Sequence, residues 1–238
     1  MILAAGLGKR LRPLTDNIPK ALVKIKGKTL LELVVERLKK FGFNEIVINV
    51  HHCGNQIIEF VRKKNNFGLK IKFSEEGEIL GTGGGLKKAR WFFNDGDPFL
   101  VHNVDVLSDI DLGEMYKSHL NSDFLATLAT KKRETSRYLL FDKNGELFGW
   151  ENKEKGETKL VKKSEGLREM AFSGIQVINP KIFELMPQKN NFSIIELYLN
   201  LALSSKIGYF EHSQNFWLDV GKKETLNQAR EIVEKIEF

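Results

Sequence analysis

LAAGLGKRLRPLT, residues 3–15, and the Pro19-Lys20 that follows decide how the rest of the chain is read. A short apolar run, Ile2 to Ala5, ends directly in a loop with glycine at positions 6 and 8. Glycine lets a backbone approach a ligand closely and turn its N–H groups toward phosphate oxygens. Lys9, Arg10, Arg12 and Lys20 surround that loop with positive charge. Four cations and two glycines around one loop serve no obvious core-packing purpose, so the segment reads as an anion-binding loop after a first strand, with a flexible basic surface loop as the alternative that the local pattern alone leaves open. Two familiar phosphate motifs fail on it. A Walker-type loop ending in Gly27-Lys28-Thr29 needs glycine where Leu22 stands, and a dinucleotide fingerprint starting at Gly6 needs a small residue where Leu11 stands.

Outward from the loop, strand and helix signals alternate. Apolar residues at 30, 31, 33, 34, 38 and 41 predict a helix over 29–41, closed by Gly42. EIVINV at 45–50 reads as a strand covered on both faces, 55–65 as a helix and 69–73 as a strand. The glycine-rich segment 81–85 is expected to lead into a helix at 86–93, followed by a buried strand at 98–102. Strands separated by helices of this length imply right-handed crossovers and a largely parallel sheet. After residue 122 the rhythm changes to consecutive strands at 123–131, 137–141, 146–150, 157–163 and 171–178. Pro180 opens a short helix, 193–204 and 222–236 have helical spacing, and short strands are expected near 207–211 and 215–219. One α/β domain over 1–238 with a β-rich second half is the simplest organisation, its halves being 1–122 and 123–238.

Composition narrows the class without choosing a function. The chain has 238 residues, 42% hydrophobic and 29% charged, as a well-filled globular core requires and a disordered chain lacks. Its charge of +6, from 37 Lys and Arg against 31 Asp and Glu, permits nucleic acid, an anionic membrane surface or phosphorylated small molecules. The lysines are scattered in pairs such as Lys39-Lys40 and Lys87-Lys88, with no run of five like charges, which argues against nucleic acid. A single cysteine, Cys53, excludes an intramolecular disulfide, and no apolar run approaches 18 residues. No membrane is expected as a partner and no secretory leader is recognised, so the cytoplasm is the default. His51-His52-Cys53 is not read as a metal site, since neighbours on a strand end face opposite ways.

The loop resembles the signature of the sugar-nucleotide pyrophosphorylases, nucleotidyltransferases that join a nucleoside triphosphate to a sugar 1-phosphate. Their pattern G-x-G-x-R-L-x-P-L-T, then P-K, is met by Gly6, Gly8, Arg10, Leu11, Pro13, Leu14, Thr15, Pro19 and Lys20. Three further segments stand in the family's order. EEGEILGTGGG at 75–85 is similar to the loop that reads base and ribose, VHNVDVL at 101–107 to a metal-binding strand end, and WLDVG at 217–221 to the late W-x-D-x-G element. The resemblance spans about the whole chain. It implies a three-layer αβα Rossmann-like domain with a mixed, mostly parallel central sheet and a small β-rich insertion. Arg10, Lys20, Asp105 and Asp219 would then be catalytic, with Asp105 and Asp219 holding Mg²⁺. Leu3, Ala4, Ala5, Gly6, Gly8, Glu76, Gly81, Thr82, Gly83 and Asn103 would contact the nucleotide, and Glu151 and Gly174 the sugar. Asn103 and Asp105, two apart, are expected on one side of an extended strand.

One departure is visible: the family commonly has N-G-D where this chain has Asn103-Val104-Asp105. Val104 is expected to point away from the site. The short length and the GTGGG loop resemble the N-acetylmuramate-1-phosphate uridylyltransferase and mannose-1-phosphate guanylyltransferase branch, with UTP favoured and GTP next. A non-catalytic, nucleotide-sugar-binding regulatory protein of the same fold is the alternative. Its signature would be loss of Arg10, Lys20 or either aspartate, and all four are present.

Overall fold

The computed structural model describes residues 1–162 and 165–232. In chain order β1 (Ile2–Leu3) enters the glycine loop, and β2 (Lys24–Ile25) and β3 (Lys28–Thr29) form a small hairpin. Then come α1 (Leu30–Lys40), β4 (Glu45–Val50), α2 (Gly54–Lys63), β5 (Lys70–Glu75), α3 (Gly81–Lys88), β6 (Phe99–Asn103), β7 (Val106–Ser108) and α4 (Leu112–Leu120). The second half holds β8 (Ala126–Lys131), β9 (Arg137–Phe141), β10 (Leu147–Asn152), β11 (Glu157–Leu160) and β12 (Arg168–Ile178). It closes with α5 (Ile194–Leu201), β13 (Ile207–Glu211), β14 (Trp217–Asp219) and α6 (Lys223–Ile232). Position 163 of the expected strand and 233–236 of the expected last helix lie outside the described residues.

Local chemistry explains the elements that the spacing anticipated. Thr29 caps α1: its side chain accepts from the Glu32 N–H, while the Glu32 carboxylate accepts from the Thr29 N–H at 2.7 Å. This reciprocal box satisfies two orphan donors of the first turn. Leu30, Leu31, Leu33, Val34 and Leu38 bury the apolar stripe, and Gly42, with φ +83°, stops the helix in the left-handed conformation glycine tolerates.

The chain forms two compact units, the first made of Met1–Ile79, His102–Ile110 and Asn215–Phe238, the second of Leu80–Val101 and Asp111–Gln214. In the first, β1 lies between β4 and the end of β6, and β4 pairs β5, all in parallel: Leu3 stands opposite both Asn49 and Asn103, and Asn49 opposite Ser74. A separate ladder pairs β14 with β7 antiparallel, Asp219 opposite Val106. Leu11, Val23, Ile25, Leu30, Leu33, Leu107, Val220, Leu226 and Ala229 pack into one cluster, which ties loop, hairpin, α1 and α6 together. In the second unit the antiparallel order is β11-β10-β9-β12-β8, with β13 added parallel to β8. The α/β fold with a mixed central sheet and a β-rich stretch is therefore as the sequence predicts. Among the described residues no helix is long and apolar enough to cross a membrane.

Two local expectations are corrected, and one segment left unassigned gains a structure. The helix of the glycine-rich segment begins at Gly81 rather than 86, because its glycines lie against the 190–192 backbone, where a Cβ on Gly84 would overlap the Asn190 carbonyl. Asp105 does not continue the strand of Asn103: β6 ends at Asn103, and Val104 and Asp105 form the turn into β7. Leu112–Leu120, unassigned from sequence, is α4, capped by Asp111, whose carboxylate accepts from the Glu114 N–H at 2.8 Å.

Candidate active site

The loop after β1 is held by its own small contacts. Thr15 donates its hydroxyl to the Gly8 carbonyl at 2.8 Å, and the Leu11 N–H bonds the same oxygen at 2.8 Å, closing one tight turn over Lys9–Leu11. Leu11 is wholly buried, so the turn is nailed to the core while Lys9 and Arg10 face outward. The two glycines do different work. Gly8 has φ +62°, and a Cβ there would press on Thr15 and Lys20 at 3.0–3.2 Å, whereas nothing lies within 4 Å of a Cβ on Gly6. Gly8 shapes the loop and Gly6 leaves its surface open to a ligand. Arg12 is engaged with Asp16 at 3.2 Å on the exposed side.

Lys20 is only 8% exposed, and its ammonium pairs with the Asp105 carboxylate. The turn Pro19–Leu22, with Ala21 buried, delivers this lysine inward. On the neighbouring ladder the Val220 N–H donates to the Asp105 carbonyl at 2.8 Å, which sets Asp219 beside the Asp105 turn. Asp219 is half-buried; its Oδ2 faces an Arg10 guanidinium nitrogen at 3.8 Å, and its Oδ1 is buried with no hydrogen-bond partner among the described residues. Burial, then the negative charge of Asp105, raises the Asp219 carboxyl above the usual aspartate range, against the opposing pull of Lys20 and Arg10. Two carboxylates that repel each other, one with an orphaned oxygen, make a hard-oxygen donor set. Mg²⁺ typically takes one or two carboxylates and completes its shell with water and phosphate. These two residues fit it; among the described residues no group of three His, Cys, Asp or Glu forms a larger cage.

Glu76, one residue beyond β5, is 5% exposed and accepts from the Asn49 amide at 2.7 Å. His51 Nδ1 bonds the Glu76 carbonyl at 2.8 Å, so that histidine holds the backbone of the turn after β5. Val104 is buried and its N–H donates to the Leu3 carbonyl at 3.1 Å. His102, wholly buried, has its pKa pushed down to about 4 by burial and holds its Nδ1 at 2.8 Å from the Asn103 carbonyl, as a neutral ring does.

The first unit thus gathers Leu3, Ala4, Ala5, Gly6, Gly8, Arg10, Lys20, Glu76, Asn103, Asp105 and Asp219. The other sequence-predicted residues belong to the second unit. There the Thr82 hydroxyl accepts from the Ile194 N–H at 2.9 Å, and the Gly83 N–H donates to the Phe192 carbonyl at 3.0 Å. Both groups seat α3 on the start of α5 and the segment that leads into it. Gly81 and Gly174 have φ of +71° and +76°, the latter where the β12–β8 register slips between Phe172 and Gln176. Glu151 is the next-to-last residue of β10, opposite Tyr138 and Thr158.

Residues 1–236 match the nucleotidyl transferase family. The chain belongs to that family. Among relatives, N-acetylmuramate alpha-1-phosphate uridylyltransferase of Neisseria meningitidis is 31% identical over 97% of this chain and 96% of its own length. The catalytic subunit beta of mannose-1-phosphate guanylyltransferase from Dictyostelium discoideum is 33% identical over 93% of this chain and 60% of its own. The chain spans about 60% of the length of this and other curated relatives it matches. Among solved structures, HddC from Yersinia pseudotuberculosis complexed with GMP-PN superposes with a TM-score of 0.76 at 26% identity, covering 98% of this chain and 97% of that one.

Membership of the family does not by itself expose every residue that shapes the site. The residue that sequence reading passed over is Asn49: a lone amide inside the apolar run EIVINV was the available signal.

Proposed function

We propose that the chain is one catalytic domain, a sugar-1-phosphate nucleotidyltransferase, with UTP favoured as donor and GTP next. The observation that carries this reading is the joint placement of Lys20 on Asp105 and Arg10 on Asp219 beside an open glycine loop. A curated relative matched over 96% of its own length is a uridylyltransferase, which supports the order of the two donors.

In this reading an oxygen of the sugar 1-phosphate attacks the α-phosphorus of the triphosphate in line. A new P–O bond forms as the bond to the β-phosphate oxygen breaks, and pyrophosphate leaves with its electron pair. Little covalent work falls to the protein, so positioning and charge neutralisation supply the rate. Gly6 and its neighbours receive the triphosphate on open backbone. Arg10, on the exposed face of the loop, holds the β- and γ-phosphates with its planar donor fork. Lys20 has three N–H donors, so one stays on Asp105 while another meets an α-phosphate oxygen as charge builds. Asp105 and Asp219 would hold Mg²⁺, which when bound neutralises phosphate charge as a Lewis acid. Glu76 and Asn103 border the nucleoside, and Gly81, Thr82 and Gly83 act through backbone; Glu151 and Gly174 contact the sugar.

The decisive assay incubates the protein with Mg²⁺, pyrophosphatase, each of ATP, CTP, GTP, UTP and dTTP, and a panel of sugar 1-phosphates, and reads phosphate release. Turnover confined to one or two donors is expected. No turnover with any pair would overturn the reading.

A further inference from the structure

Asn49 stands where three strands of the first unit, β1, β4 and β5, hand over to their loops. It lies opposite Leu3 in β1 and Ser74 in β5, at the C-terminal ends of parallel strands, where open α/β sheets bind ligands. Asn49 is 3% exposed, and each of its two amide atoms makes a hydrogen bond. Oδ1 accepts from the Ala4 N–H at 2.7 Å, the first donor past the end of β1. Nδ2 donates to the Glu76 carboxylate at 2.7 Å, the first residue past the end of β5. Because a backbone N–H can only donate, the amide cannot be flipped: oxygen must face Ala4 and nitrogen must face Glu76.

The consequences are geometric. Leu3 is the last residue of β1 to pair with β4, so without Asn49 the buried N–H of Ala4 would lose its acceptor. The side-chain amide takes that place and releases the following residues, Ala5 and Gly6, from the sheet. At its other end, Glu76 is fixed three times: its N–H to the Val50 carbonyl at 2.8 Å, its carbonyl to His51, and its carboxylate to Asn49. One amide therefore sets the departure of the glycine loop and the direction of the only carboxylate that the 75–79 turn buries.

We infer that Asn49 is a positioning residue for the nucleotide, coupling the phosphate loop to Glu76 so that both meet one nucleoside triphosphate in fixed relation. The inference rests on the function proposed above. It assigns Asn49 to the donor nucleotide and not to the sugar 1-phosphate.

A reversal of the hydrogen bond tests it. Asn49→Asp keeps an oxygen for the Ala4 N–H but sets a carboxylate against Glu76, losing the donor. Asn49→Asp with Glu76→Gln restores one donor and one acceptor with the direction reversed. Kinetics with varied UTP or GTP and varied sugar 1-phosphate, UTP and GTP binding without sugar phosphate, and melting temperature are measured for wild type, both single variants and the double variant. Asn49→Asp is expected to raise the KM for the triphosphate at least about tenfold and weaken its binding alike, the scale of one buried hydrogen bond to a charged group. The KM for sugar 1-phosphate should move less than about threefold. In the Glu76→Gln background the same substitution should cost less than about threefold.

Equal damage to both substrates, or an undiminished loss in the Glu76→Gln background, would overturn the role. If Asn49→Asp does not fold, Asn49→Ser, too short to span Ala4 and Glu76, carries the same comparison of the two KM values. A wild-type protein that turns over no pair would refute the proposed function, whereas normal wild-type turnover with a kinetically silent Asn49→Asp would refute only this inference.

Discussion

Replacing Gly221 by alanine places one methyl group between the two charged groups that bracket the proposed phosphate site. An ideal Cβ on Gly221 would stand 2.5 Å from Arg10 Nη2 and 2.6 Å from Asp219 Oδ1. Ordinary contact begins near 3.4 Å, so each group must retreat by about 0.8–0.9 Å. Both obstructing atoms are ends of side chains and Gly221 has no positive φ, so the fold can yield without backbone strain. Stability should change by less than ~1 kcal/mol, or about 3 °C in melting temperature, partly offset by the stiffer unfolded chain that alanine confers. A displacement of about 1 Å at groups facing a transferring phosphoryl costs on the order of 10²-fold in rate. Gly221→Ala is therefore expected to lose between about 10- and 100-fold in kcat/KM while melting with the wild type. Pyrophosphate release at varied UTP or GTP, beside a thermal melt, reads both quantities. Activity within threefold of wild type would refute the reasoning, as would a fall of more than about 10 °C, which would place Gly221 in the fold and not in the site.

Other outcomes follow from the same groups. Asp105→Asn and Lys20→Ala should each remove at least about two decades of rate, since each loses a group facing developing charge, and near-normal activity in either would sink the role assignment. The Asp219 carboxyl is raised by burial and by Asp105, so its ionised form destabilises the fold at neutral pH. Asp219→Asn should then melt higher than wild type at pH 7, with the gain shrinking as pH falls through the carboxylate range; Mg²⁺ should raise the wild-type melting temperature more than that of the variant. A variant less stable than wild type at pH 7 without Mg²⁺ would contradict the sign. His102, held near pKa 4 by burial, stays neutral in the fold while an unfolded histidine takes a proton below about pH 6.5. Its share of stability is lost as pH drops from about 6.5 to 4, by at most about 3 kcal/mol, so the gap between wild type and His102→Gln in urea melts should fall by that amount between pH 7 and 4. A gap independent of pH would refute it.

Legibility in the sequence tracked the range of the interaction concerned. Helix α1 was readable because its stripe, its Thr29–Glu32 box and its terminal Gly42 all lie within fourteen residues. Strand β9 falls at 137–141, the bounds expected from the sequence. The hairpin β2–β3 and the three-residue β7 went unread, being too short to carry a period. Helix α4 left a signal, Asp111 before Leu112, Met115 and His119 on one buried face, that was there to be found. The start of α3 was not, because four glycines carry no helical propensity and are helical only where backbone packs against backbone.

The sequence by itself determined which groups were available: a strand feeding a glycine loop, the cations Arg10 and Lys20, and the carboxylates Asp105 and Asp219. It could do so because loop shape and charge are properties of neighbouring residues and side-chain type. Only the tertiary structure decided who faces whom. Lys20 meets Asp105 across 85 positions, Asn49 meets Ala4 across 45 and Glu76 across 27. The Asn49 pairings arise from parallel strands that end at one level, the Lys20 pairing from a buried turn that meets the β6–β7 turn, and no local pattern along the chain records which of these will be neighbours.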